Sequence, residues 1–419
     1  MSTFSEVSAL FLDFDSFFAS VEQHMHPELR GRPIGIAPVL TDTSCCIAAS
    51  YEAKAFGVKT GTGVREAKSL CPEILIVEAK PPEYIKYHHQ LVAAVESCIH
   101  VEATLSIDEL WCLLPENLRQ REQIDELAYR IKRAIAREVS PCITCTIGVA
   151  QNRWLAKMAS KMRKPDGYLL LLPEDLPEAL YGLKLSDVHG VGSSMELRLH
   201  ARGIHTVKQL CEASRSKLHS VWGSIEGERL WMNLHGAVLP EREVERRSIG
   251  HSHVLSPEKR EQDKALPVLH KLTQKAAVRL RSHGMLAGSL HIQIRYVHGP
   301  SWAAECRFEH SADSILFART VKRLWRQRPD KSTKILKLSM TLAHLLEEAN
   351  HTPSLFEADM RPRMELSRTM DRIQAKLGRK AIHLGCDHDA LADAPMRISF
   401  THIPDLGLEG SADLHEDEA

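Results

Sequence analysis

No apolar run in this 419-residue sequence approaches the roughly 20 residues that a membrane-spanning helix requires, so no such span and no membrane partner are expected. The first residues, Met1 to Val7, lack a basic patch followed by an apolar core. No secretory signal is read there, and the cytoplasm is the expected location. Glycine and proline, at 22 and 20 residues, are not in excess; with 43% apolar and 26% charged residues the composition is neither disordered nor fibrous. The ten cysteines form no repeating framework. In a reducing compartment they read as buried thiols, and Cys142-x-x-Cys145 lacks the second ligand pair that a zinc site needs nearby. The length leaves room for roughly two to four domains, each able to bury its own core.

Net charge is also absent, with 54 basic and 54 acidic residues, but the balance conceals a regional asymmetry. Arg246 to Lys337 holds 19 Lys/Arg against 7 Asp/Glu, an excess of 12, whereas Leu338 to Ala419 holds 8 against 15. A basic block in a globular chain points to a polyanionic partner.

Val7 to Phe14 reads as a short apolar strand that delivers Asp13 and Asp15 at its C-terminal end, just before the helical pattern of Ser16 to Gln23. Residues i and i+2 share a face of a strand, so both acids could reach one ion; the alternative for Asp15 is a helix cap. Asp108 and Glu109 form a second acidic pair inside the apolar stretch Leu105 to Leu114. Neighbours on a regular strand face opposite ways, so these two can serve one site only at a hairpin tip or a bulge. Acids in an apolar run are costly unless a cation or hydrogen bonds offset their burial. Together with Asp13 they would form a hard, oxygen-rich site suited to Mg²⁺, and two such ions suit phosphoryl or nucleotidyl transfer.

Four motifs occur in order along the chain: Leu12-Asp-Phe-Asp-Ser-Phe-Phe-Ala-Ser-Val-Glu22, Ala49-Ser-Tyr-Glu-Ala-Lys-Ala-Phe-Gly-Val58, Ser106-Ile-Asp-Glu109, and Leu155-Ala-Lys-Met-Ala-Ser160 with Lys164-Pro-Asp-Gly167. In these the chain resembles the Y-family DNA polymerases, translesion enzymes of the DinB/UmuC type, from about Leu10 to Leu345. Weaker similarity to the UmuC branch continues near Arg361 to Gly385. The resemblance implies an α+β multidomain, right-hand polymerase. Its parts would be a palm with a ferredoxin-like antiparallel sheet over residues 1–172, small fingers inserted at about 30–78, and a helical thumb with a helix-hairpin-helix over 173–240. A β-α-β-β-α-β little finger over 244–345 and an acidic tail over 346–419 would complete it.

Carried over residue by residue, the resemblance implies that Asp13, Asp108 and Glu109 are catalytic metal ligands for two Mg²⁺ ions, with the Phe14 carbonyl as a backbone ligand. Asp15 matches no regular ligand. Phe18 aligns with an aromatic gate against the ribose 2′-hydroxyl; by composition Phe17 and Phe18 are both core candidates. Tyr51 and Lys54 lie one helical turn apart before Gly57, a candidate C-cap, and can converge on an anion. The resemblance places them on the incoming deoxynucleoside triphosphate, Lys54 standing where Arg is commoner and Ala48 where many relatives carry a hydroxyl. Lys157, Lys161 and Lys164 recur at i, i+4 and i+7 of a helical pattern that begins at Asn152. A solvated face is the simple reading of that stripe, while the resemblance gives Lys164 a phosphate-binding role.

Asp187-Val-His-Gly-Val-Gly192 before a helix near Ser193 resembles a helix-hairpin-helix, whose Gly190, Val191 and Gly192 backbone could dock a DNA phosphate. The basic block parses as strand 246–255, helix 263–283, strands 289–297 and 302–310, helix 312–328 and strand 333–343. Leu290, Ile292, Ile294 and Tyr296 alternate with His291, Gln293 and Arg295, leaving one polar face for primer-template DNA. The segment after Asn350 is acidic and Pro-punctuated, which predicts partial disorder. In it, Thr352-Pro-Ser-Leu-Phe356 resembles a sliding-clamp peptide with Leu355 and Phe356 as its apolar contacts.

The reading that follows is a DNA-directed, translesion DNA polymerase without room for an exonuclease domain. The alternatives are an inactive accessory subunit that binds DNA and the clamp among other mutagenesis proteins, and a nucleotide cyclase with similar acids but no need of a basic block.

Overall fold

The computed structural model describes residues 7–240, 245–352, 361–378, 381–391 and 403. They divide into two compact units that meet in sequence at Glu241–Arg242. Among the described residues no helix is long and apolar enough to cross a membrane, and none of the ten cysteines is paired in a disulfide.

The first unit begins with strand β1 (Ala9–Phe14), buried along its whole length, and helix α1 (Phe17–Met25). A small three-stranded sheet follows: β2 (Ile34–Ala37), β3 (Ala48–Ala49), helices α2 (Tyr51–Ala55) and α3 (Val64–Leu70), then β4 (Leu75–Glu78), in the order β3-β2-β4. Ser50 caps α2 by accepting from Ala53 N at 3.3 Å, and Gly57 with φ +89° follows its end. Next come α4 (Pro81–Glu96), β5 (Ala103–Thr104), β6 (Glu109–Leu113), α5 (Arg121–Glu138), β7 (Cys145–Ala150), α6 (Arg153–Met162) and β8 (Tyr168–Leu170).

The main sheet of this unit has the order β5-β6-β1-β7-β8. Four strands pair antiparallel as expected, but β8 runs parallel to β7. The departure has a plain cause: α6 intervenes between β7 and β8, and a helical crossover returns the chain in its original direction. Helix α6 lies tight on this sheet because a Cβ at Gly148 of β7 would come within 2.1 Å of the Ala156 carbonyl. Helices α7 (Ser193–His200), α8 (Val207–Glu212), α9 (Arg215–Trp222) and α10 (Ile225–Leu234) complete the unit. Leu199, Leu210, Leu218 and Leu230 of these helices share one core with Leu155 and Met158 of α6.

The second unit runs β9 (Ser248–Val254), α11 (Gln262–Ser282), β10 (Met285–Tyr296), β11 (Trp302–Ser311), α12 (Ser314–Arg326) and β12 (Ile335–Glu347). Its sheet is antiparallel throughout, in the order β11-β10-β12-β9. Helices α11 and α12 cover one face, where Leu290, Ile292, Ile294 and Tyr296 join Phe317 and Leu324 in the core. Partial disorder after Asn350 does not describe residues 361–378 and 381–391. Helix α13 (Arg361–Leu377) packs on α12, Arg281 of α11 grips Asp371 at 2.6 and 2.8 Å, and Ala390 is buried in the same core. Buried anchors hold these residues, and the acidic excess of the tail lies outside them, since they carry five Lys/Arg against four Asp/Glu.

Candidate active site

Strand register brings the first two acids together. Asp13, at the end of β1, is the direct partner of Glu109, at the start of β6. Asp108 precedes Glu109 in the tight turn that joins β5 to β6, so the adjacent acids lie at a hairpin tip, where strand alternation no longer separates them. The turn is tied to β1 by Phe14 N, which donates to the Asp108 carbonyl at 2.8 Å, and Ser106 Oγ donates to Asp108 Oδ1 at 2.6 Å.

Two lysines converge on the acids. Lys157 of α6 donates to Glu109 Oε2 at 2.7 Å, and Lys164 donates to Asp13 Oδ1. Lys164 is not on α6, as the i, i+4, i+7 stripe implies; the helix ends at Met162 and Lys164 sits in the following turn. Lys161, exposed, lies within electrostatic range of Glu109 and Asp13. Burial pushes the Asp13 carboxyl up to about 6, against the pull of Lys164 and with further upward pressure from Asp108 and Glu109. Burial likewise raises Asp108, with Glu109 adding to it and the Ser106 hydrogen bond opposing. Among the described residues no three His, Cys, Asp or Glu side chains close on a common metal position; Lys157 pairs with Glu109 and Lys164 with Asp13 instead.

Asp15 does not cap α1. The N-cap is Ser16 in a left-handed conformation, without a side-chain cap bond. The fully buried Asp15 carboxylate instead accepts from Tyr51 Oη at 3.2 Å, Thr144 Oγ1 at 3.1 Å, Thr146 Oγ1 at 3.0 Å and Asp166 N at 2.8 Å. Lys54 sits 4.2 Å from the centre of the Tyr51 ring and donates to Ser16 Oγ at 2.6 Å. Tyr51, Lys54 and Lys164 therefore all reach the end of β1. Phe17 and Phe18 are both 3% exposed. Phe18 stacks on Tyr84 of α4 at 4.6 Å, and the Tyr84 hydroxyl donates to the buried Glu22 carboxylate at 2.8 Å.

Elsewhere in this unit, Gly190 has φ +94°, Val191 is buried and Gly192 is the N-cap of α7. In the second unit Gln293 and Arg295 are exposed and His291 half-buried, on the sheet face opposite the core. Leu355 and Phe356 lie outside the described residues. The solvated face read for the lysine stripe does not hold at Lys157, whose side chain is 15% exposed and paired with Glu109. No local pattern in the sequence marks Tyr84 as a partner of Phe18.

A palm sheet presenting acids at adjoining strand ends, helices behind it and a separate β-α-β-β-α-β unit define the right-hand polymerase class. Comparison with known proteins agrees. Residues 12–161 match the impB/mucB/samB family, residues 246–355 its C-terminal domain and residues 186–237 the DNA polymerase-iota thumb domain. DNA polymerase IV 1 of Bacillus subtilis is 33% identical over 296 residues, covering 68% of this chain and 69% of its own length. DNA polymerase IV of Moorella thermoacetica is 31% identical over 391 residues, covering 90% and 96%. In fold the chain resembles a solved Y-family DNA polymerase chimera built on Dbh, with a TM-score of 0.69 and 23% identity over 81% of this chain and 99% of that one. The chain belongs to the Y-family, DinB/UmuC-like translesion DNA polymerases.

Proposed function

We propose that this protein extends a primer 3′ end opposite damaged template bases by two-metal nucleotidyl transfer, without proofreading. One observation carries the reading: Asp13 and Glu109 are register partners, and Asp108 stands at the hairpin tip beside them. All the candidate ligands are oxygens, from Asp13, Asp108, Glu109 and the Phe14 carbonyl, which fits a hard cation such as Mg²⁺. The upward push that Asp108 and Glu109 exert on Asp13 is the repulsion that a bound cation would relieve. When bound, two Mg²⁺ ions would activate the primer hydroxyl and support the departing pyrophosphate.

The chain's own groups do the rest by position and charge. Tyr51, Lys54 and Lys164 would hold the triphosphate, Lys54 as a point charge. Phe18, braced by Tyr84, would occupy the space of a ribose 2′-hydroxyl, with Phe17 packed behind it. Gly190 to Gly192 and the His291, Gln293 and Arg295 face would hold primer-template phosphates. Clamp binding by Leu355 and Phe356 belongs to the same proposal on sequence grounds alone; Leu355→Ala with Phe356→Ala should abolish clamp pull-down.

Primer extension with Mg²⁺ on undamaged and damaged templates tests the reading, with wild type beside Asp108→Ala and Glu109→Ala. Extension by the wild type alone is expected. A wild type that binds DNA and extends nothing would favour the accessory-subunit alternative. Phe18→Ala should admit ribonucleotides, and unchanged sugar discrimination would remove the gate assignment.

A further inference from the structure

The turn that presents Asp108 and Glu109 is closed at its base by Leu105 N, which donates to the Glu109 carbonyl at 2.9 Å, and is weakly held by its own backbone beyond that bond. Its internal hydrogen bonds from Ser106 N to the Glu109 carbonyl and from Glu109 N to the Ser106 carbonyl are long, at 3.4 and 3.5 Å. The two remaining carbonyls are fixed from outside: that of Asp108 by Phe14 N, and that of Ile107 by Nδ1 of His88, on α4, at 2.8 Å. His88 is 2% exposed and Ile107 fully buried, so no water can replace this contact.

A carbonyl oxygen only accepts, so His88 must carry its proton on Nδ1. Burial holds the imidazole below its ordinary range, which keeps a neutral donor in that position. The Ile107 carbonyl and the Asp108 N–H share one rigid peptide plane. Fixing the oxygen therefore fixes the plane from which the Asp108 side chain departs. We propose that His88 is a positioning residue for the acid turn, holding Asp108 and Glu109 in reacting geometry through the Ile107 carbonyl. This rests on the polymerase reading for its kinetic consequence, though not for its structural one.

Two substitutions separate positioning from bulk. His88→Asn retains a nitrogen donor the same number of bonds from the backbone, whereas His88→Phe retains a ring and loses the donor. In single-nucleotide insertion with Mg²⁺, His88→Phe should lower kcat by at least about tenfold, with the KM for the deoxynucleotide within about twofold. His88→Asn should stay within about threefold of wild type. Amide hydrogen exchange of residues 105–109, read without any reaction, should accelerate in the Phe variant and stay near wild type in the Asn variant. Wild-type kcat in His88→Phe, or equal impairment of both variants, overturns the proposal. If the wild type itself fails to extend primers, the polymerase reading falls, while unequal exchange in the two variants would still support His88 as the support of the turn.

Discussion

The Lys157 ammonium stands 2.7 Å from the Glu109 carboxylate, with the two side chains only 15% and 18% exposed, so α6 supplies an internal counter-charge to the acid site. A cation entering the site must compete with that ammonium. Replacing Lys157 by Met should destabilise the protein in chelator by about 1–3 kcal/mol, because Glu109 is left withdrawn from water without its partner. Added Mg²⁺ should then raise the melting temperature of the variant more than that of the wild type, since nothing competes for Glu109. Melting curves with and without Mg²⁺ check this, and an equal Mg²⁺ response in both proteins would refute the competition.

Asp13 gives a pH dependence opposite in sign to that of most carboxylates. Its folded value of about 6 lies above the ordinary 3.8, so the folded state holds the proton more tightly than the unfolded one. This group therefore favours folding below pH 3.8 and progressively withdraws that support as pH rises towards 6. A shift of this size is worth on the order of 3 kcal/mol. In chelator, Asp13→Asn should gain stability relative to wild type between pH 4 and 7, and hold the gain above. Urea unfolding across that range measures it; a constant difference between the two proteins would count against the raised value.

Much of this was readable from the residues. Period-two alternation in Leu290 to Tyr296 marks a one-sided strand whatever lies beside it, and the acids at the ends of apolar strands stood out because burial makes them costly. The role of Asp15 was hidden for the opposite reason. Its donors at Tyr51, Thr144, Thr146 and Asp166 are 36 to 151 positions away in the chain, and only tertiary folding gathers them. The expectation of disorder averages composition over everything after Asn350, while Asp371 anchors residues 361–378 and Ala390 anchors residues 381–391 one contact at a time.

Asp15→Asn tests that gathering. The carboxylate accepts from four groups, and an amide would turn a donor towards at least one of them. The expected loss is roughly 2–4 kcal/mol of stability, with Tyr51→Phe, which deletes a single donor, losing about 1 kcal/mol. Urea unfolding of both variants decides it. Equal, small losses would mean that the buried carboxylate relaxes onto other partners.

The tail anchor makes a separate prediction for the second unit. Arg281 is 8% exposed on its side chain and forks onto Asp371 while also donating to the Ala312 carbonyl at 2.8 Å. Asp371→Asn should cost about 1–3 kcal/mol, less than a fully buried pair because the carboxylate itself is 24% exposed. A thermal scan that leaves the melting temperature unmoved would show that α13 docks without this ion pair.

On the polar face of the second unit, Arg295 of β10 and Lys337 of β12 are direct cross-strand partners. Like charges placed opposite one another oppose sheet formation slightly, and the arrangement is favourable only if a polyanion lies across them. Each residue should therefore contact a primer-template phosphate and carry no base preference. Arg295→Ala and Lys337→Ala should each weaken DNA binding uniformly across sequences and reduce the slope of log K against log salt by about 1. Fluorescence anisotropy over a salt series measures affinity and slope together. Affinity lost without a change in slope would indicate a folding defect, and neither changing would show that DNA lies elsewhere on this unit.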